Sequence, residues 1–358
     1  MKEGRIVEYT IEHIPVFKHL FETLAGALHE VEMVHIKPDK PVDAEKDSEN
    51  ETESDNEKSD SNSDSNSNSN SNSESESESD TKSSKKKVVK KKEVERGGIK
   101  IVEINDYETI IIHIRLHAQS FFKFDCKKPT FSIGMDPSNM FELLKNIDPT
   151  GQMTLYVNEA NKQTLNIELQ NDEKRSRSYY DFKLLDLNER KITPLPPEFD
   201  IIVEMKTEDF HNMCKELASV GQFMIVECTE KKIEFKCKGN NRNSRKEFEH
   251  DDNRENGTVS ITVNKNRANK NEPVIVREIY DLNDIIMFNK CKSLCTDIQI
   301  LLRNEYIMFI RYEIASYGMM TVGFNPANEN LVNKHGNYDG KFNAFYGKNK
   351  SFEMKYKS

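Results

Sequence analysis

An α+β fold of two similar halves, each with helices on one side of antiparallel sheet, is predicted for this chain by three observations. The first is an internal repeat: residues Gly134-Met135 through Leu155 and Glu204-Met205 through Ile225 superimpose at a constant offset of 70 without a gap. Met135 meets Met205, Lys145 meets Lys215, Ile147 meets Leu217 and Gly151-Gln152 meets Gly221-Gln222. The second is what each copy contains: a strand, an N-cap (Asp136 or Thr207), an amphipathic helix, a glycine turn and further strands. A looser copy lies at Tyr280 to Ile300, and the helix from Ile11 to Leu28, with Phe17, Leu20 and Leu24 on the pattern, completes the set. One supersecondary unit is therefore used repeatedly. The third is a strap between the halves, running through Ile192-Thr193-Pro194-Leu195-Pro196-Pro197-Glu198-Phe199-Asp200, whose prolines can neither continue a helix nor donate to a ladder.

Taken in order, Arg5 to Tyr9 alternates like a short strand, and Ile14, Phe17, Leu20, Phe21, Leu24 and Leu28 then recur at helical spacing. Met33, Val34 and Ile36 restart an extended segment that breaks at Pro38. From 39 to 98 the chain is low-complexity: acidic through Asp80, Asn/Ser-alternating from Ser61 to Ser73, then basic at Lys85-Lys86-Lys87 and Lys90-Lys91-Lys92. With almost no apolar residues it cannot offset the entropy of ordering, so a disordered insertion is expected. Its lysines read as a nuclear-localisation signal, a DNA-touching arm or a solvated linker. Order resumes at Ile99, and Ile110, Ile112, Ile114 and Leu116 share one face of a strand, followed by Phe121 to Phe124. Strands are expected at 153–157, 164–169 and 179–184 in the first half, then at 224–228, 232–237, 258–263, 298–302, 306–314 and 319–324. Residues 240–256 and 264–271 read as polar loops, and a polar, basic tail follows Pro326.

At 358 residues the chain suits two cores. The net charge of −9 speaks against nucleic acid only if charge is evenly spread, because phosphate binding depends on where lysines sit. Six cysteines (Cys126, Cys214, Cys228, Cys237, Cys291, Cys295) are scattered without a CxxC pair, which reads as free thiols in a reducing, intracellular compartment. Neither a zinc site nor a cofactor is expected, and no apolar run approaches a membrane span. No catalytic constellation is present: Cys214 beside Met213 reads as packing, and there is no HExxH or glycine-rich phosphate loop.

Lys145 and Lys215 share one repeat position near the helix C-terminus, with Lys290 and Lys292 matching in the later copy; a cation there suits the helix dipole as well as a ligand phosphate. The first helix has Glu22 at the matching site and Lys18 and His19 a turn earlier. Ile192, Leu195 and Phe199 either fasten the strap to its own protein or rim a groove for partner peptides.

The strap, its flanking Asp181-Phe182-Lys183-Leu184-Leu185-Asp186-Leu187, the helix Asp209 to Leu217 and the ending Tyr312-Glu313-Ile314-Ala315-Ser316-Tyr317-Gly318 resemble the eukaryotic DNA sliding clamp family, proliferating cell nuclear antigen. The resemblance covers most of the chain outside the insertion and tail. It implies a DNA-clamp fold in which 1–183 is an N-terminal domain, 184–200 an interdomain connector, 201–326 a C-terminal domain and 327–358 a flexible tail. It further implies a homotrimeric ring of inner helices around double-stranded DNA, a processivity factor for a DNA polymerase that is opened by a clamp loader. Four repeats per chain, each with one amphipathic helix, fit a closed ring that gives every helix an equivalent role. Lysines 18, 145, 215, 290 and 292 would then face DNA without reading sequence. The resemblance also implies a groove of Ile104, Ile192, Leu195, Phe199, Ile307, Gly323, Asn325 and Pro326 for a motif Gln-x-x-aliphatic-x-x-aromatic-aromatic. Gly323 replaces the family's usual aromatic, and Asn325 its small apolar residue. A checkpoint-type subunit of a hetero-oligomeric clamp is the alternative, and it would lack that groove. The Asn/Lys-rich composition suggests a large DNA virus or a protist, hence a nuclear or a cytoplasmic viral replication site. Within the tail, Phe342, Phe345 and Tyr346 repeat the apolar-then-two-aromatics spacing, with Asp339 in place of the leading Gln.

Overall fold

In the computed structural model, residues 4–39, 97–187, 198–252, 259–264, 275–304 and 306–327 are described. The expected insertion apart from residues 39, 97 and 98, of which Gly98 already belongs to a strand, most of the strap including Ile192 and Leu195, and the tail after Ala327 lie outside them. Four strand–helix–strand copies follow one another. The first is β1 (Arg5–Ile11), α1 (Ile14–Ala27), β2 (Val31–Ile36), β3 (Gly98–Ile104) and β4 (Ile110–His117). A short β5 (Lys123–Cys126) leads to the second: β6 (Thr130–Met135), α2 (Pro137–Asn146), β7 (Gln152–Asn158), β8 (Asn161–Asn171) and β9 (Ser176–Lys183). The third is β10 (Ile201–Lys206), α3 (Thr207–Ala218), β11 (Phe223–Cys228), β12 (Lys232–Lys238) and β13 (Asn243–Glu249), followed by β14 (Ser260–Val263). The fourth is β15 (Val276–Asp281), α4 (Leu282–Ile286), β16 (Asp297–Leu302), β17 (Met308–Ile314) and β18 (Gly318–Phe324).

Every pairing between these strands is antiparallel. They form a five-stranded sheet β5-β1-β7-β8-β9, a four-stranded sheet β13-β12-β11-β15 and a nine-stranded sheet β14-β10-β16-β17-β18-β4-β3-β2-β6. The nine-stranded sheet spans both halves, because β18 pairs with β4 from Gly318↔Leu116 to Phe324↔Ile110 and so joins first half to second through one ladder. Alternation explains the seam: Ile110, Ile112, Ile114 and Leu116 are buried on one face of β4, and Met320, Val322 and Phe324 are buried on β18. These side chains belong to one core that also takes in Phe17, Leu20 and Leu24 of α1 and Phe210, Met213 and Leu217 of α3.

The glycines that made the repeat visible have a shared cause. A Cβ on Gly151 would lie 2.4 Å from the carbonyl oxygen of Gln170, and one on Gly221 would lie 2.5 Å from that of Lys238, so each copy needs a residue without a side chain where its helix turns into the sheet.

Three local expectations are corrected. Asp136 does cap α2, accepting from the amides of Ser138 and Asn139, but Thr207 is the first residue inside α3 and the capping position is Lys206. Buried Thr207 instead places its hydroxyl 3.6 Å from the Cys295 thiol. The last copy has no long helix: α4 is five residues, capped by Asp281, and continues as a 3-10 turn over Met287–Ser293 that carries Lys290 and Lys292. Finally, β13 runs through the stretch read as a polar loop. Its alternation is charged rather than apolar, and it is held to β12 by Lys232–Glu247 at 3.1 Å, Arg245–Glu234 at 2.6 Å and a Phe235–Phe248 edge contact.

Candidate functional site

The helical segments touch one another in a chain: α1 packs on α2 and on the 287–293 turn, and α3 packs on α4 and on the same turn. Their buried residues face the sheets, while the polar residues face outward. At the centre, Thr23 of α1 meets the Cys291 thiol at 3.8 Å and Tyr312 stacks on His211 of α3. The first of these contacts ties α1 of the first half to the 287–293 turn of the second, and the other packs α3 on β17.

The predicted lysines fall into different electrostatic settings. Lys215 and Lys292 are exposed and sit close enough to His211 that, after burial itself, their charges help push its pKa down to about 4. They form a shared cationic patch. Lys290 does not stand free, because its ammonium lies 2.8 Å from the Glu22 carboxylate. Glu22, which looked like an exception to the repeat, is therefore the partner of its neighbour's lysine, and that contact holds its carboxyl below the usual range. Lys145 reaches Glu142 at 3.5 Å in an exposed pair that contributes little. Lys18 is half-buried on α1.

Three cations that sequence reading passed over stand near α3. Lys246 pairs with Glu216 at 2.7 Å, Arg242 donates to the Ser219 carbonyl at 2.9 Å, and Lys206 pairs with Asp297. Lys246 belongs to the missed strand β13 and Arg242 directly precedes it, so nothing flagged them. Across the helical segments five lysines face six carboxylates (Glu22, Glu142, Glu208, Asp209, Glu216, Asp284), which leaves no general cationic excess.

The opposite face of the nine-stranded sheet carries an apolar row. Strand registers place Ile104 beside Ile111, Ile111 beside Gly323, Gly323 beside Phe309, Phe309 beside Leu301 and Leu301 beside Ile202. These residues alternate with core neighbours such as Ile110, Ile112, Ile300 and Ile310, so they point away from the helices. Phe199, Tyr306 and Ile307 pack half-buried against the row, with the Phe199 and Phe309 rings 5.7 Å apart. Of the residues expected in a groove, Ile104, Phe199 and Ile307 meet here. Ile111, Ile202, Leu301 and Phe309 were not singled out, because a single apolar residue between core residues gives no outward signal.

Gly323 lies in the middle of the row. A Cβ there would fall 2.5 Å from both Ile111 Cγ2 and Phe309 Cε1, so the neighbours already fill the space an aromatic would take. Asn325 is polar for a local reason: its amide donates to the Thr109 carbonyl, and its side chain donates to that of Glu108. It pins the chain beside the Ile104–Ile111 hairpin, and half-buried Pro326 follows. The strap is stitched at both described ends. Leu185 donates to the Gly134 carbonyl, and Asp200 donates to that of Leu302. Ile192 and Leu195 fall outside the described residues.

All six cysteines are free and five are buried; burial pushes the Cys228 thiol up to about 12 and raises Cys214 and Cys291 further. Among the described residues no cluster of His, Cys, Asp and Glu is placed to hold a metal, and no helix is long and apolar enough to cross a membrane.

Comparison with known proteins agrees with this geometry. Residues 195–326 match the profile of the proliferating cell nuclear antigen C-terminal domain, and residues 85–191 match that of its N-terminal domain. The chain is 24% identical over 234 residues to a probable DNA polymerase sliding clamp of Acanthamoeba polyphaga mimivirus, covering 64% of this chain and 47% of that protein. It is 20% identical over 233 residues to probable DNA polymerase sliding clamp 1 of Paramecium bursaria Chlorella virus 1, covering 64% of this chain and 84% of the relative. The chain thus spans about half the length of the first relative and most of the second.

Proposed function

Because the chain belongs to the proliferating cell nuclear antigen family, we propose that it is a sliding clamp, a DNA polymerase processivity factor in which three copies close into a ring around duplex DNA. In this reading 1–183 and 201–326 are the two clamp domains, 184–200 is their connector and 327–358 is a tail. The observation that carries the proposal is the division of labour across the nine-stranded sheet: helices with a local cationic patch on one face, an apolar row framed by the connector's end on the other. The helix face holds DNA by position, and the row receives the apolar plug of polymerase, clamp loader or repair partners.

Ring closure has a candidate seam. The five-stranded and four-stranded sheets end in β9 and β13, of eight and seven residues, and neither has a further strand beside it among the described residues. Tyr179 and Tyr180 on β9 are 63% and 39% exposed, an unusual use of aromatic surface unless another strand covers it. Different edges on one chain pair head to tail, and a head-to-tail contact that closes makes a ring. The retained apolar row favours this reading over a checkpoint-type subunit. Its site of action would be wherever DNA is copied, a nucleus or a cytoplasmic viral replication site.

The test joins two measurements: native mass of the purified chain, and polymerase extension on primed single-stranded DNA with and without it. Three chains per particle and longer products are expected. A monomer that leaves product length unchanged would overturn the proposal. Replacing Phe199 with Ala and Ile307 with Ser should abolish stimulation while the three-chain mass persists.

A further inference from the structure

The row itself is buried, with Leu301 1% and Phe309 2% exposed, but its half-buried border of Phe199, Ile202, Tyr306 and Ile307 is a surface a peptide can meet, and the same chain supplies a segment suited to it. We propose that the Phe342-Asn343-Ala344-Phe345-Tyr346 segment of the tail occupies the row intramolecularly, as a tethered competitor for partner peptides; this rests on the reading of the row as the partner site. Three observations carry it. The first is where the chain leads: Gly323 is in the row itself, Asn325 is bonded to Glu108 and Thr109 beside the Ile104–Ile111 hairpin, and Ala327 follows two residues on. The chain thus passes through the row and then steps off its edge, where the Ala327 amide donates to the Ile279 carbonyl of β15 at 2.7 Å and Ala327 packs on Phe223 and Ile225, so the tail starts beside the row.

The second is reach. Fourteen residues separate Ala327 from Phe342, and a flexible chain of that length spans roughly 20 Å on average. The row crosses six strands, about 24 Å at sheet spacing. Linker and target are matched, the condition under which tethering gives an effective concentration of about millimolar.

The third is complementarity. Phe342, Phe345 and Tyr346 stand at i, i+3 and i+4, so one helical turn would present all three to an apolar surface. Residues 328–358 contain six lysines against three acids (Glu329, Asp339, Glu353). The segments framing the row are acidic on balance, with Asp106 and Glu108 in the β3–β4 turn and Glu198 and Asp200 on either side of Phe199 against Arg303 over Tyr306. A weakly bound tail of this kind suppresses weak partners and yields to tight ones.

The experiment compares the full chain with a full-length F345S/Y346S variant, using a labelled peptide of the form Gln-x-x-Leu-x-x-Phe-Phe as probe and F199A/I307S as a control for where the probe binds. Probe affinity should rise roughly two- to ten-fold in the tail variant, and the excess should vanish when a peptide of residues 334–350 is added at millimolar concentration. Equal probe affinity in the full chain and the tail variant, with binding still lost in F199A/I307S, would overturn the tail's role and leave the groove reading intact. Probe binding that ignores F199A/I307S would overturn the groove reading and this proposal with it.

Discussion

At the scale of single residues, the lysines predicted from one repeat position are not equivalent. Lys215 shares a patch with Lys292, whereas Lys290 is already matched to Glu22 at 2.8 Å. Changing Lys215 to Ala should weaken DNA binding uniformly across sequences and lower the salt slope by about one phosphate contact per subunit engaged, while Lys290→Ala should change it less; DNA titrations at several salt concentrations measure both. A Lys290→Ala effect as large as that of Lys215 would mean the pair with Glu22 opens on DNA. Two buried histidines make a separate prediction. His35, stacked among Tyr9 and Phe124, and His211, stacked on Tyr312, are each pushed by burial from about 6.5 to about 4. Each is neutral in the fold, so its contribution is complete above pH 6.5 and is lost as pH falls toward 4, where the unfolded chain takes up protons the folded chain refuses. The loss is on the order of 3 kcal/mol per histidine across that window. Urea midpoints should fall steeply between neutral pH and pH 4.5, and His211→Gln should remove about half of that slope.

At the scale of elements, the repeat was legible where its physical cause is local. Glycines that meet a carbonyl, Asp136 as a cap and apolar residues three and four apart all leave marks in sequence. What was not legible depends on neighbours. Strand β13 exists because β12 offers ion-pair partners, the 287–293 turn because α1 packs on it, and the apolar row because six strands bring single residues from distant segments into line. The β13 edge has a consequence for assembly, since a charged strand stays soluble alone yet can still accept the exposed edge of β9. Tyr179→Glu with Tyr180→Glu strips the aromatic cover from β9 and leaves two carboxylates to be desolvated at the seam if β9 and β13 pair between copies. Native mass should then drop from three chains to one. Because both tyrosines are exposed, the thermal midpoint of the isolated chain should hardly move.

At the scale of the whole molecule, the near balance of charge on the helix face bears on how DNA is held. A protein that relied on phosphate contacts would need a surplus of cations, and its affinity would fall by orders of magnitude as salt rises. Within the described helical segments five lysines stand against six carboxylates, so in the proposed clamp enclosure, more than contact, would hold the chain on DNA. A closed ring of the proposed kind would leave a circle only by opening a seam between copies, and a seam made of backbone ladder and aromatic cover would depend little on screened charge. The two modes separate cleanly. On nicked circular DNA, clamps placed by a loader should survive a wash at high salt, and cutting the circle once should release them within the time needed to slide to an end. Lys215→Ala should leave retention on the circle unchanged while altering the rate of sliding, whereas the Tyr179→Glu, Tyr180→Glu chain should be lost from circle and line alike. Salt-sensitive retention that does not depend on whether the DNA is closed would show that phosphate contact, rather than enclosure, keeps this protein in place.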